Sequence, residues 1–154
     1  MEYDSKADTL EHIRTVNNYL IDAATEILKR GKVHDNSKLK FPEKELFDKF
    51  TPLLKTLDFG SEEYKNSLEQ LKPALDHHYS NNSHHPQHYE VGINGMDLYD
   101  LIEMFYDWLA AGKRTKEGNF GKSVTVNKER FNMSEQLCNI FENTYNRYHA
   151  EEKN

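Results

Sequence analysis

Apolar residues recur at three- and four-residue spacing over most of this 154-residue chain, and that period commits it to helices. Leu10, Ile13, Val16, Leu20, Ala24, Ile27 and Leu28 predict a long first helix over residues 5–32, capped by Asp8 or Thr9 and stopped at Gly31 among basic residues. A second helix is expected over residues 42–57, where Pro42 suits a first turn and Leu46, Phe47, Phe50, Leu53 and Leu54 form the stripe. Pro52 predicts a kink or an early end there. Ser61 with Glu63 opens a third helix towards Tyr79, with a kink or restart at Pro73.

Residues 80–95 form a polar loop with no period. Over residues 96–111, Leu98, Leu101, Ile102, Phe105 and Leu109 give the most regular stripe, ended by Gly112. Residues 113–132 read as a basic, glycine-containing connection in which Val124, Thr125 and Val126 make a short strand or cross the surface. Ser134 caps a last helix through Leu137, Ile140, Phe141, Tyr145 and Tyr148. The expected fold is all-α: one compact domain, residues 1–154, of about five to six helices.

Composition narrows the function. Hydrophobic residues are 36% and mean hydropathy is −0.91, so the core is lean, while nine Tyr and eight Phe argue against disorder. No run approaches the ~18 apolar residues of a membrane span, and the N-terminal residues lack a basic-then-apolar leader. The single Cys138 rules out an internal disulfide and suits a reducing cytoplasm. Net charge −6 argues against duplex nucleic acid as a partner. A core this lean makes a homodimer reasonable.

The chemistry lies in the histidines, five of the eight falling between residues 77 and 88. His34-Asp35 sets an imidazole nitrogen beside carboxylate oxygens, a donor pair for a transition metal, although Asp35, Asn36 and Ser37 are also turn formers. His12 shares a helix face with Val16, Leu20, Ala23 and Ile27, which aims it at the interior. The Leu68, Leu71 and Leu75 stripe continues onto His78, whereas His77 stands about 100° away and faces outward. Dense histidines in the following loop favour metal binding, but loop spacing does not choose among His84, His85 and His88. Asp100 and Asp107 share a helix face with Met104. Trp108 and Ala111 make the Asp107 end too apolar for plain solvent, and a buried carboxylate needs a partner.

A helix-borne His, then His-Asp, then later His residues, then a helical Asp resembles the HD-domain superfamily of metal-dependent phosphohydrolases. HDNSK is similar to its HD-x-x-K form, here His34, Asp35 and Lys38, and FYDWLAA to its later helix, which points to Asp107. The stretch from HHYSNNSHH to FYDWLAA also resembles a smaller bacterial and phage family of unassigned function. The resemblance implies a metal site of His12, His34, Asp35 and Asp107. It completes a second position with His78 and a loop histidine, His84 or His85, of which His85 is assigned here. It implies one or two divalent transition ions (Mn, Co, Fe, Ni or Zn) and a water activated for attack on phosphorus. Asp35 and Lys38 take the catalytic roles, Lys38 neutralising phosphoryl oxygens. Lys113 and Arg114, with Lys116 and Lys122, grip phosphate or are a solvated loop.

The expected substrate is a small phosphorylated molecule, a nucleotide if Tyr79, Tyr89 or Tyr106 stacks on a base. Two alternatives remain open: a di-iron oxygenase on the same scaffold, and a non-catalytic helical domain that binds a partner protein.

Overall fold

Helices account for nearly every element in this computed structural model, which describes residues 4–58, 60–113 and 120–151, with the side chains of 149–151 left aside. The six are α1 (Lys6–Val33), α2 (Glu43–Thr56), α3 (Glu62–Asn81), α4 (Leu98–Gly112), α5 (Phe120–Phe131) and α6 (Glu135–Glu151). Short 3-10 turns at Asn36–Leu39, Pro86–His88 and Gly92–Gly95 join them, and no strand occurs among the described residues. The all-α expectation holds. No helix among these residues is long and apolar enough to cross a membrane.

The chain divides into two units, Met1–His34 and Asp35–Asn154. The first consists of α1, which follows Ser5 at its N-cap, so Asp8 and Thr9 lie inside the helix rather than capping it. None of its residues is buried, and His12, expected to face an interior, is exposed. A lone helix offers its apolar stripe no second element within its own unit.

In the second unit, α2 and α3 close on Phe50, Leu71 and Ala74, with Leu46, Phe47, Leu54 and Leu75 around them. Both helices run through their prolines. Pro52 and Pro73 are exposed, as are Asp48 and Glu69 four residues earlier, so water can serve the carbonyls that lose a donor. The buried face of α3 is Ser67, Leu71, Ala74 and His78, while Leu68 is turned out. This shifts the expected stripe but keeps His78 inside. Ser61 caps α3 as expected, its Oγ accepting the Tyr64 N–H at 3.1 Å.

The larger core joins α4, α5 and α6 through Met104, Phe105, Leu109, Phe120, Val124, Met133, Cys138 and Phe141. Burying each of the Met, Phe, Leu and Val side chains among these contributes about 1.5–3 kcal/mol. Two expectations are corrected here. Leu98 is the first residue of α4 and 69% exposed, and the buried face is instead Asp100, Met104, Phe105 and Leu109. Leu98 precedes the turn that packs. Val124 lies in a helix, neither in a strand nor at the surface: Phe120 and Val124, four apart, bury one face of α5, and that packing overrides the weak strand preference of Val-Thr-Val. Lys128 of α5 pairs with Glu135, and Ser134 caps α6 by accepting the Leu137 N–H at 3.2 Å.

Before α4 the chain folds tightly on itself. A Cβ added at Gly95 would stand 2.8 Å from the Cβ of Tyr89. Gly95→Ala should therefore cost about 1–3 kcal/mol in denaturant unfolding. A neutral result would mean that Tyr89 yields freely.

Candidate metal centre

The turn after α1 presents the first donor. Asp35 takes the left-handed conformation, φ 57°, which Asp tolerates better than most residues, and it caps the Asn36–Leu39 turn. Side chains three apart eclipse in such a turn. Lys38 thus lies over Asp35, its Nζ donating to Asp35 Oδ2 at 2.6 Å, and its ammonium is 5.8 Å from the centre of the Phe47 ring.

His78 reaches the same place from the last turn of α3. It is 2% exposed and backed by Glu43 at the start of α2, which is wholly buried. Glu43 Oε2 lies 2.9 Å from His78 Nδ1, and Glu43 Oε1 lies 2.7 Å from Nδ1 of the half-buried His77. Ser37 Oγ also donates to Glu43 Oε2, at 3.0 Å. A carboxylate facing Nδ1 accepts a hydrogen bond from the Nδ1–H and so leaves the Nε2 lone pair for the opposite side.

His84 repeats the arrangement from the loop. It too is 2% exposed, and its Nδ1 lies 3.1 Å from Oε1 of Glu103 on α4. Its Nε2 stands 3.6 Å from Asp35 Oδ1, and His78 Nε2 stands 3.2 Å from the same oxygen. His85 Nε2 lies 2.9 Å from His78 Nε2. Donor atoms of Asp35, His78, His84 and His85 all fall within 4.8 Å of one another.

The donor set fits a transition metal. Two carboxylate-backed rings point lone pairs at a carboxylate oxygen, so acceptor faces acceptor, and a cation between them relieves that repulsion. Ligand atoms about 2.0–2.2 Å from one ion stand roughly 2.8–3.6 Å apart, from octahedral to tetrahedral arrangement, and the separations of 2.9, 3.2 and 3.6 Å seen here fall in that range. His85 is poised as a neutral ligand: burial, then His84 and His78, lower its pKa from 6.5 to about 3, opposed by Asp107 and Asp35. Asp107 is half-buried and brings a carboxylate oxygen within 4.8 Å of one of Asp35's.

The residues expected from sequence thus divide. Asp35, His78, His85 and Asp107 come together in the second unit. Lys38 stands beside Asp35. His12 and His34 belong to the first unit, His34 as the half-buried C-cap of α1. His88 faces away, its Nδ1 2.9 Å from the Tyr79 carbonyl oxygen. Lys113 is exposed at the end of α4, with Nζ 6.0 Å from the centre of the Tyr148 ring. Lys122 is exposed on α5, and Arg114 and Lys116 lie outside the described residues. Among the expected base-stacking tyrosines, Tyr89 bonds Asp100, Tyr79 packs edge-on against His85 with ring centres 5.2 Å apart, and Tyr106 lies 6.5 Å from Tyr148.

Sequence reasoning missed the carboxylates behind the rings. Glu43 stands in the first turn of a helix, where acids are ordinary, and Glu103 lies between apolar residues of α4. Neither spacing gave a signal.

A family model described as "Family of unknown function (DUF5662)" matches residues 1–147, and the chain belongs to that family. No curated protein and no solved structure matches it.

Proposed function

We propose that this member of the DUF5662 family is a metal-dependent phosphohydrolase of the HD type, acting on a small phosphorylated molecule such as a nucleotide. One observation carries the reading: the rings of His78 and His84, each backed by a buried or half-buried glutamate, converge with His85 on the Asp35 carboxylate.

A divalent transition ion held there would supply Lewis acidity, lowering the pKa of a water and polarising a phosphoryl oxygen. The chain's own residues do the rest. Glu43 and Glu103 hold Nδ1 of His78 and His84, fixing ring orientation before any ligand arrives. Asp35 contributes negative charge, which favours a divalent ion over water alone. Lys38, ion-paired to Asp35 Oδ2 and partly exposed, can shift its ammonium to phosphoryl oxygens as charge builds on them. Asp107 adds a second carboxylate, suited to a further ion or to orienting a water. Lys113 offers substrate a positive charge at the exposed end of α4.

The test is phosphate release from a panel of nucleotides by untagged protein loaded in turn with Mn²⁺, Co²⁺, Ni²⁺, Zn²⁺ and Fe²⁺. Turnover with at least one metal, lost on chelation, is expected. Oxygen consumption by the iron-loaded protein without phosphate release would transfer the site to oxygenase chemistry. Metal uptake with neither reaction would make it a binding module. Glu103→Gln should weaken metal binding about 10–100-fold, since the amide can orient the His84 ring but not match a carboxylate's pull on Nδ1–H. Unchanged affinity would remove Glu103 from the site.

A further inference from the structure

Asp100 is a carboxylate only 2% exposed that stands apart from the converging donors. Both oxygens are engaged. Ser83 Oγ donates to Oδ1 at 2.6 Å, Tyr89 donates its hydroxyl to Oδ2 at 2.5 Å, and the Asp97 backbone N–H donates to Oδ2 at 3.1 Å. Asp97 returns the favour, its Oδ1 accepting the Asp100 N–H at 2.9 Å, so the acid is locked into the first turn of α4. An anion there also meets the positive end of the helix.

The two side-chain donors bracket the histidines. Ser83 immediately precedes His84, and Tyr89 immediately follows the Pro86–His88 turn. A segment whose backbone holds one short 3-10 turn, and no longer helix or strand, is thereby tied at both ends to one rigid point. Three residues further along the same helix, Glu103 holds the His84 ring. Tyr89 remains a donor at any ordinary pH, because burial and then the Asp100 hydrogen bond raise its pKa to about 12.

We infer that Asp100 is a positioning residue of the metal centre, clamping segment 83–89 through Ser83 and Tyr89 so that His84 and His85 stand at the site before metal binds. The inference rests on the metal-site reading above. Its value is entropic: a loop already ordered has less freedom to lose when its rings are ligated.

The test compares Ser83→Ala, Tyr89→Phe and Asp100→Asn with Val124→Ala, a core truncation in α5 outside the site. Two readouts are taken. Imidazole NMR resonances are recorded on metal-free protein, and Zn²⁺ affinity is measured by chelator competition at pH 7.5. The clamp variants should shift the rings of His84 and His85, and Asp100→Asn should weaken Zn²⁺ binding about 10–100-fold. Val124→Ala should lower Tm and leave the Zn²⁺ Kd unchanged. If Asp100→Asn does not fold, Ser83→Ala and Tyr89→Phe each remove one tie and carry the test. Unmoved ring resonances, or equal Kd losses in Val124→Ala and the clamp variants at matched Tm, would overturn the clamp. Wild-type protein that takes up no Zn²⁺ while the rings still shift overturns the metal reading beneath it.

Discussion

Asp35→Ala is expected to abolish metal-dependent turnover and to strip the bound ion. Asp35 Oδ1 is the point on which His78 and His84 converge, and the carboxylate is the anionic member of that group. Its removal leaves only imidazole donors at that point and offers a divalent ion no compensating charge there. The loss of affinity should exceed the roughly 10–100-fold that follows removal of a backing residue. His88→Ala is the matched control, since His88 is exposed and turned to the Tyr79 carbonyl. Its metal content should equal that of the wild type. Equal effects of the two substitutions, read by elemental analysis and by activity, would remove Asp35 from the centre.

Chelation should produce the second large effect. Metal that binds only the folded chain stabilises it by mass action, about 4 kcal/mol when free metal is a thousandfold above Kd. At roughly 2–4 °C per kcal/mol for a chain of this size, Tm should fall by about 8–16 °C on chelation at pH 7.5.

The chelated protein should also be acid-sensitive in a defined direction. The folded His85 pKa of about 3 lies below its ordinary 6.5, so the unfolded chain takes up a proton that the folded chain refuses. The contribution of His85 to stability is therefore fully present above about pH 6.5 and declines as pH falls towards 3. Thermal melts from pH 7.5 to 4.5, with and without chelator, check both effects. A Tm insensitive to chelation in protein verified as metal-loaded would contradict the first. A chelated Tm that rises on acidification would contradict the second.

Much of the fold was legible because helix ends and stripes are local properties. Ser61 and Ser134 announce their helices by capping, and Leu71 predicts the phase that buries His78. In α4 and α5, where the reading failed, packing from another element decided. Met104 joined Phe105 and Leu109 on the buried face of α4 because α5 and α6 pack there, while Asp100 is buried by Ser83 and Tyr89, and the Val-Thr-Val stretch became helical because Phe120 and Val124 share a core.

The candidate site was half legible. Asp35, His78 and Asp107 carry residue types and contexts that stand out in a sequence. Loop spacing left His84 level with His85 and His88. It takes the tertiary fold to bring Glu103 behind His84 and Glu43 behind His78, residues 19 and 35 positions apart in the chain.

The most direct measurement is elemental analysis of untagged wild-type protein purified without chelator and then titrated with Mn²⁺, Co²⁺, Ni²⁺, Zn²⁺ and Fe²⁺ at pH 7.5. The site described here predicts stoichiometric, chelator-reversible uptake of at least one of these ions by the folded chain. Folded protein that retains and takes up none of them would contradict it.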